Sequence, residues 1–484
     1  MMTVNRAWSD YEITYCAREM AQLAEWMKFG LSGTVVGLPG TGKSNLLGFL
    51  SHRLDARRFY LKETADSVFV IPIDLNNLPA NNMATFYRVI LRSFYEMRHQ
   101  FSANLQDQIV HLYRENRASR DPFLTQSALR EILFQVQAEK KRVVLVMDGF
   151  DLFCEQANVR LTRTLRGLRD SFKHVVSFIV GMRQEVVYLS DPTVLGDLYE
   201  LLDTHVCWVH PMLPADAAHL IKKQTFQSLT KPDEKAVQLI GTVTGRYPSL
   251  LKVACHYWLT HQDSTSADWD VNVLVSHPPF TYRLAEIWRG LTGEEQMVLT
   301  EVQKLQNLAE VAEIRNQLNS QKQIGFIKAF EDLDKKYAGT VRRLTIKGAL
   351  AGSPYGWAIA GDLFAAYVEI VGEGSRGGLR YDERANCFFQ GVRQLNLTPL
   401  EGNLLHGLLR RPREIQDYPA LIEATWPEEM FDEELLFHKK ESLQQLVRSL
   451  RLKIEPVPAK PCYIINHKGM GGGYQFFPEG RPEQ

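Results

Sequence analysis

No run of apolar residues here is long enough to cross a membrane: nothing in the 484 residues approaches the roughly 18 to 20 consecutive apolar positions of a spanning helix. The start, MMTVNRAWSDYE, has no apolar signal-peptide core either, so the expectation is a cytoplasmic protein with no membrane partner. Cysteine is scarce and scattered. Cys16, Cys154, Cys207, Cys255, Cys387 and Cys462 include no CxxC pair, which fits neither a disulfide framework nor a zinc site, and reduced thiols are expected. Net charge is missing too, with 56 basic residues against 56 acidic ones. No global field therefore draws the chain to nucleic acid or to a lipid surface, and any DNA contact has to come from a local patch.

What is present is an ordinary globular composition, 45% apolar and 23% charged, on a chain too long for one hydrophobic core. At roughly 100 to 200 residues per domain, about three or four domains are expected. Residues 37–44 read GLPGTGKS, the full G-x-x-x-x-G-K-[ST] pattern, after the apolar run Thr34, Val35, Val36 and before a helical stretch from Asn45 to Leu54. Gly37, Gly40 and Gly42 let the backbone curl so that its N–H groups face phosphate oxygens, and Pro39 and Thr41 complete the loop. Lys43 is the residue to neutralise the β and γ phosphates, and Ser44 the hydroxyl to reach Mg²⁺.

Residues 143–147 (VVLVM) read as a buried strand ending in Asp148, a second candidate Mg²⁺ ligand. Asp151, within the following GFDLF, is placed to reach the attacking water or the metal shell, unless it is a turn aspartate. Strand-like runs at 69–75 and 175–180 alternate with helical stretches, which predicts a mainly parallel sheet with ligands at the carboxyl ends of its strands. Arg183 falls at such an end and is a candidate γ-phosphate sensor; the plain alternative is a surface arginine.

Further segments carry a family resemblance over residues 10–263. Cys16-Ala17-Arg18-Glu19 followed by Leu23 resembles the "GRExEL" motif that opens the STAND and origin-recognition type ATPases of the AAA+ group. Asp148-Gly149-Phe150-Asp151 looks like the STAND form of Walker B, with a small residue where AAA+ ATPases carry a catalytic Glu. Thr244-Gly245-Arg246-Tyr247-Pro248 is similar to the "GGxP" segment of their helical lid. The resemblance implies ATP or ADP as ligand, Arg18 and Pro248 beside it, and slow turnover or none. Ala17 and Arg246 stand where the family usually has Gly. Arg246 is either a phosphate sensor or a solvated residue at a helix start.

Residues 261–280 are polar and proline-tipped and read as a boundary. Beyond it, Thr292 and Glu295 form a capping-box pattern, and the segment ending GDLFAAYV resembles the small winged helix that follows the ATPase lid in the same family. It is read either as a packing module or as a DNA or partner binder. Residues 381–397 contain short strand-like runs, Thr398 and Glu401 cap a helix, a second helix runs to about Trp426, and ESLQQLVRSLRLKIEP places Leu443, Leu446, Val447 and Leu450 on one face. A hairpin with a glycine-rich tip follows. This stretch resembles the DNA-binding domain of OmpR/PhoB-type response regulators, in "LTPLE", in "LRLKIE" of its recognition helix and in "KGMGGGY" of its wing. Basic and acidic residues nearly balance there, but unevenly: residues 428–434 hold five acids, whereas residues 439–468 hold seven bases and two acids. Arg448, Arg451, Lys453 and Lys468 are the candidate DNA contacts, and the family resemblance makes the acidic loop a candidate contact for RNA polymerase.

The expected fold is thus multidomain: an α/β P-loop NTPase with a parallel sheet (1–210), a helical lid (211–263), a linker (264–280) and two winged-helix domains (281–372 and 380–478). The expected function is an ATP-dependent switch coupled to DNA binding, most simply a transcriptional regulator, with a nucleotide-dependent homo-oligomer a possible form. The rivals are an AAA+ assembly ATPase for replication or transposition, and a STAND defence or signalling ATPase whose winged helices bind protein.

Overall fold

The computed structural model describes residues 7–75, 78, 82–156, 159–189, 191–226, 231–261, 269–314, 320–374, 378–382, 387–390, 393–427, 433–455, 461–467 and 472–481. The chain divides into two compact units, one of residues 1–265 with 285–290, the other of 266–284 with 291–484. Among the described residues, no helix is long and apolar enough to cross a membrane.

The first unit is built on β1 (Gly33–Val36), β2 (Val68–Asp74), β3 (Arg142–Asp148), β4 (Val176–Met182) and β5 (Val206–Trp208), in the order β2-β3-β4-β1-β5. Every pairing is parallel. β1, β3 and β4 are buried along their middles, which is why they read in the sequence as unbroken apolar runs. β5, at three residues, is too short to carry a pattern of its own. One face of the sheet packs Phe69, Ile71 and Leu145 against Ile90 and Phe94 of helix Met83–Glu96 and Leu129 and Leu133 of helix Pro122–Ala138. Asn82 starts the first of these helices by accepting the Thr85 N–H at 2.9 Å. Because β3, β4 and β1 are neighbours, the segments leaving their carboxyl ends lie side by side, where ligands of open parallel sheets bind. Helices Pro214–Gln224, Glu234–Val243 and Pro248–Thr260 form the lid.

The stretch read as a linker is largely helical from Asp270 onward. Val271–Ser276 is a helix whose first turn is capped by Asp270, accepting from Asn272 N–H at 2.9 Å, and Pro278 opens the helix Pro278–Arg289. Proline there marks a helix start, since the N–H it lacks has no partner in a first turn.

In the second unit, helices Gly293–Ile314 and Ser320–Ile346, the latter kinked at Tyr337, are followed by the hairpin of β6 (Leu350–Ser353) and β7 (Gly356–Ile359) and by helix Asp362–Gly374. That is a winged-helix succession. Next come β8 (Leu379–Asp382), β9 (Cys387–Gln390) and β10 (Arg393–Gln394) in one antiparallel sheet, then helices Pro399–Arg410, Tyr418–Thr425 and Glu433–Ile454. β11 (Ile415–Asp417), β12 (Ile464–His467) and β13 (Gly473–Phe476) close a second sheet in the order β11-β13-β12. Leu404, Leu408, Leu421, Leu443, Val447, Leu450, Tyr463 and Phe476 are its core.

Both capping boxes form. Thr292 N–H donates to Glu295 at 2.9 Å, and Thr398 N–H to Glu401 at 2.7 Å. Each glutamate also holds a lysine from the third helix of its domain: Lys347 Nζ lies 2.6 Å from Glu295, and Lys453 Nζ lies 2.6 Å from Glu401.

Candidate nucleotide site and candidate nucleic-acid interface

From Val36 the chain turns through residues 37–42 into the helix Lys43–His52. Gly37 leaves no room for a side chain, since a Cβ there would come within 2.7 Å of Thr41 Oγ1. Thr41 itself is buried, its hydroxyl donating to Leu38 O at 2.8 Å, so it braces the loop from within. Gly40 (φ 81°) and Gly42 (φ 97°) hold left-handed backbone that L side chains avoid. Lys43 Nζ donates to Gly37 O at 2.7 Å across the loop, and Ser44 is exposed at the helix start. Burial pulls Lys43 down to about 8; Asp151 and Asp148 work against that shift and Arg183 adds to it. Those four charges, expected from separate motifs, therefore share one electrostatic neighbourhood.

Asp148 ends β3, and its Oδ1 accepts the Gly149 N–H at 3.0 Å. Gly149 has φ 72°, so the turn that leaves the strand is left-handed. A glutamate at this position would carry a backbone cost of about 1–2 kcal/mol. Asp151, in the first turn of helix Phe150–Gln156, accepts the Arg183 N–H at 3.3 Å, and Arg183 Nε lies 3.6 Å from the same oxygen. Arg183 is 54% exposed and Asp151 only 14%, so the guanidinium can leave this partner for another anion at the strand ends.

The lid meets the loop directly. Ser249 N–H donates to Gly40 O at 3.2 Å, and a Cβ on Gly42 would touch Pro248 at 3.5 Å and Tyr15 Oη at 3.6 Å. Ser249 Oγ is buried and has no hydrogen-bond partner among the described residues. A third element arrives from residues 285–290. Gln184, the residue after Arg183, donates to Gly290 O at 3.1 Å, and a Cβ on Gly290 would lie 2.5 Å from Pro39. Tyr15, Gln184, Ser249 and Gly290 carry no motif; only tertiary placement brings them here.

Of two further expected residues, Arg18 belongs to helix Ala17–Phe29 and Arg246 precedes helix Pro248–Thr260. Arg18 is exposed, and the inward residue of its turn is Glu19, which meets His210 Nδ1 at 3.0 Å. Arg246 sits at φ 58°, which accounts for the glycine usual at that position, and its Nε donates to Met212 O at 2.9 Å within the lid.

In the C-terminal domain the third helix buries Leu443, Val447, Leu450 and Ile454, each worth about 1.5–3 kcal/mol of apolar burial. Three polar ties then fix its orientation. Glu401 accepts from Ser449 Oγ at 2.7 Å and from Lys453 at 2.6 Å; Arg451 NH2 donates to Ile464 O at 2.5 Å; and Glu455, fully buried, accepts the N–H groups of Cys462, Tyr463 and Ile464. Arg451 and Lys453, two of the candidate DNA contacts, are thus half-exposed and bonded within the domain. Arg448 is exposed, as are Gln444 and Gln445, which the count of basic residues passed over. Lys468 and the acidic residues 428–432 lie outside the described residues.

Residues 392–476 match the family described as Transcriptional regulatory protein, C terminal. The chain carries a transcriptional-regulator domain at its C-terminal end. Residues 19–183 match Nephrocystin 3, N-terminal. A curated relative, the uncharacterized transcriptional regulatory protein YrkP of Bacillus subtilis, is 30% identical over 100 residues; the match covers 21% of this chain and 40% of that protein. Among solved structures, the ORC2 protein of Aeropyrum pernix, titled as ADPNP-ADP complexes, is similar at 14% identity and a TM-score of 0.38, covering 74% of this chain and 92% of that one. CDC6P from Pyrobaculum aerophilum is similar at 13% identity and a TM-score of 0.34, covering 74% of this chain and 95% of that one.

Proposed function

We propose that this protein is an ATP-dependent switch that controls DNA binding by its C-terminal domain, and so acts as a transcriptional regulator. One observation carries the reading: a phosphate loop with Lys43, Asp148, Asp151 and Arg183 in one charged neighbourhood is joined in a single chain to a transcriptional-regulator domain. Residues 1–210 and 211–263 form the nucleotide module, and 281–372 and 380–478 the winged helices.

The N–H groups of residues 37–44 would hold the phosphates of ATP or ADP, and Lys43 would exchange Gly37 O for them. Among the described residues, no three His, Cys, Asp or Glu side chains gather into a metal cluster. Ser44, exposed at the start of helix Lys43–His52, and Asp148 at the end of β3 are the residues that would hold Mg²⁺. Bound there, the ion supplies charge neutralisation to the phosphates. Arg183 would be the residue to exchange Asp151 for a γ-phosphate, which would leave Asp151 to orient water. With Gly149 in place of a carboxylate, turnover is slow, and the γ-phosphate serves as a signal. Gly290 against Pro39, and Gln184 beside Arg183, offer the route by which the signal leaves, since the chain continues from Gly290 into the remaining winged-helix residues. RNA polymerase, through the acidic loop, and a nucleotide-dependent homo-oligomer are further partners of this reading.

Genome-wide DNA capture by the wild type beside Lys43→Ala tests it. The reading expects discrete sites whose occupancy changes at least several-fold in the variant. Equal occupancy would remove the switch, and capture of no DNA would remove the regulator.

A further inference from the structure

Arg53 and Arg57 stand one turn apart where helix Lys43–His52 gives way to helix Leu54–Leu61, and they are held in opposite ways. Arg53 has the partners a guanidinium usually finds: Asp55 accepts from Nε at 2.9 Å and from Nη2 at 2.7 Å, and Nη1 donates to Ser9 O at 2.8 Å and Tyr11 O at 2.7 Å. Arg57 has almost none of this. It is 4% exposed and forms no ion pair among the described residues. Its side chain makes one hydrogen bond there, from Nη2 to the neutral Gln100 Oε1 at 3.0 Å. Arg57 Nε is buried without a partner, and so is Nε2 of the same Gln100.

A guanidinium stays protonated when it is taken out of water, and buried charges are ordinarily paired. Burial pulls Arg57 down to about 10, the like charge of Arg58 adds to that shift, and no carboxylate of the described residues works against it. Gln100 leads into Phe101, whose ring lies 4.4 Å from that of Phe69 and 6.0 Å from that of Phe94, so the two donors stand against an apolar wall. Hydrogen bonds to an anion are stronger in such surroundings than in water. The place is also remote from the nucleotide loop. Helix Lys43–His52 carries the chain ten residues, about 15 Å, from that loop before Arg53 is reached. Residues 62–67 then lead into the start of β2, which puts Arg57 toward the amino ends of the strands, opposite the ends that carry Lys43 and Asp148.

We propose that Arg57 and Gln100 form a binding site for one small oxyanion, a carboxylate or phosphate group, on the nucleotide unit but apart from its phosphate loop. The bond from Arg57 to Gln100 Oε1 fixes which end of the amide is oxygen, and it leaves two N–H donors, one of them charged, to face the ligand. The anion supplies the counter-charge that the described residues withhold. An opening as small as 4% exposure of the arginine restricts the ligand to one with little attached to its charged group. This site goes beyond the switch reading, since it needs neither DNA binding nor turnover, and it gives the unit a second ligand of its own.

The test titrates the full chain, saturated with ADP and Mg²⁺ so that the phosphate loop is filled, with sodium phosphate or with sodium acetate at constant ionic strength, by calorimetry. The wild type is expected to bind one anion per chain, and the tighter arm tells a phosphate ligand from a carboxylate one. Arg57→Met is expected to weaken that binding about 10- to 150-fold, and Gln100→Ala about 2- to 10-fold. In chloride buffer alone, Arg57→Met should unfold at the wild-type temperature or above it, because the variant removes a buried charge that has no counter-charge. Lys43→Ala, titrated without nucleotide, should keep the wild-type anion affinity. A wild type that binds neither anion overturns the site. So does unchanged affinity in Arg57→Met and Gln100→Ala, or a loss confined to Lys43→Ala, which would move the anion to the phosphate loop. Should Arg57→Met not fold, Gln100→Ala decides alone. A wild type that fails to bind ADP refutes the switch reading instead, and the Arg57 and Gln100 variants still decide this one.

Discussion

Glu295 and Glu401 occupy the same place in two domains of one chain, each closing a helix start and each drawing in a lysine from the third helix, yet their surroundings are unequal. Lys347 and Glu295 are both 0% exposed, and Arg343 Nε adds a second cation at 3.5 Å; Lys453 is 34% exposed, and Ser449 takes the place of that arginine. The first domain has a sealed ionic core. The second has a half-open one. Interior contacts that fix the third helix are shared. A basic residue on such a helix cannot be assigned to DNA by its charge alone: Arg451 and Lys453 hold the domain together, and Arg448 is the one left to meet a partner.

Breaking the shared contact should hurt the first domain more. Glu295→Ala leaves Lys347 charged, buried and without that carboxylate, and a loss of about 3–5 kcal/mol in unfolding free energy is expected by denaturant titration. Glu401→Ala lets Lys453 turn to solvent, so the loss should be smaller, about 2–3 kcal/mol, most of it from the capping box and the Ser449 bond. Equal losses would mean that burial does not distinguish the two contacts. The mildest probe is acid. Burial works to raise Glu401, but Lys453, Thr398 and Ser449 hold it below its ordinary value of 4.5. A carboxyl lowered in the folded state contributes stability above its unfolded value and loses it as pH falls toward and through the folded one. The C-terminal domain should therefore lose stability progressively below about pH 4.5, and Glu401→Gln should flatten that profile.

Much of the frame was legible in the sequence, because its elements are set by local chemistry. The turn at residues 37–42 declared itself through glycines whose left-handed backbone few other residues tolerate, and four of the five parallel strands through short runs rich in apolar residues. Thr398 and Glu401 marked a helix start that the structure forms. What escaped depended on distance. Gly290 meets Pro39, and Ser249 meets Gly40, across long separations in the chain, and neither residue type signals a ligand. Residues 264–280 looked like a linker because polarity hid a short capped helix. The bonds of Arg451 to Ile464 O and of Lys453 to Glu401 also escaped, because helical spacing does not show partners that lie outside the helix.

The central claim is that nucleotide at the Lys43 loop sets the DNA affinity of the far end of the chain. It is tested most directly by measuring duplex affinity of the full chain without nucleotide, with ADP and with a slowly hydrolysed ATP analogue, at one fixed salt concentration. The account predicts that ADP and the analogue shift the affinity differently, by about 5- to 150-fold between them, and that Lys43→Ala abolishes the difference. The same affinity in all three states, in a wild type shown to bind both nucleotides, would contradict it.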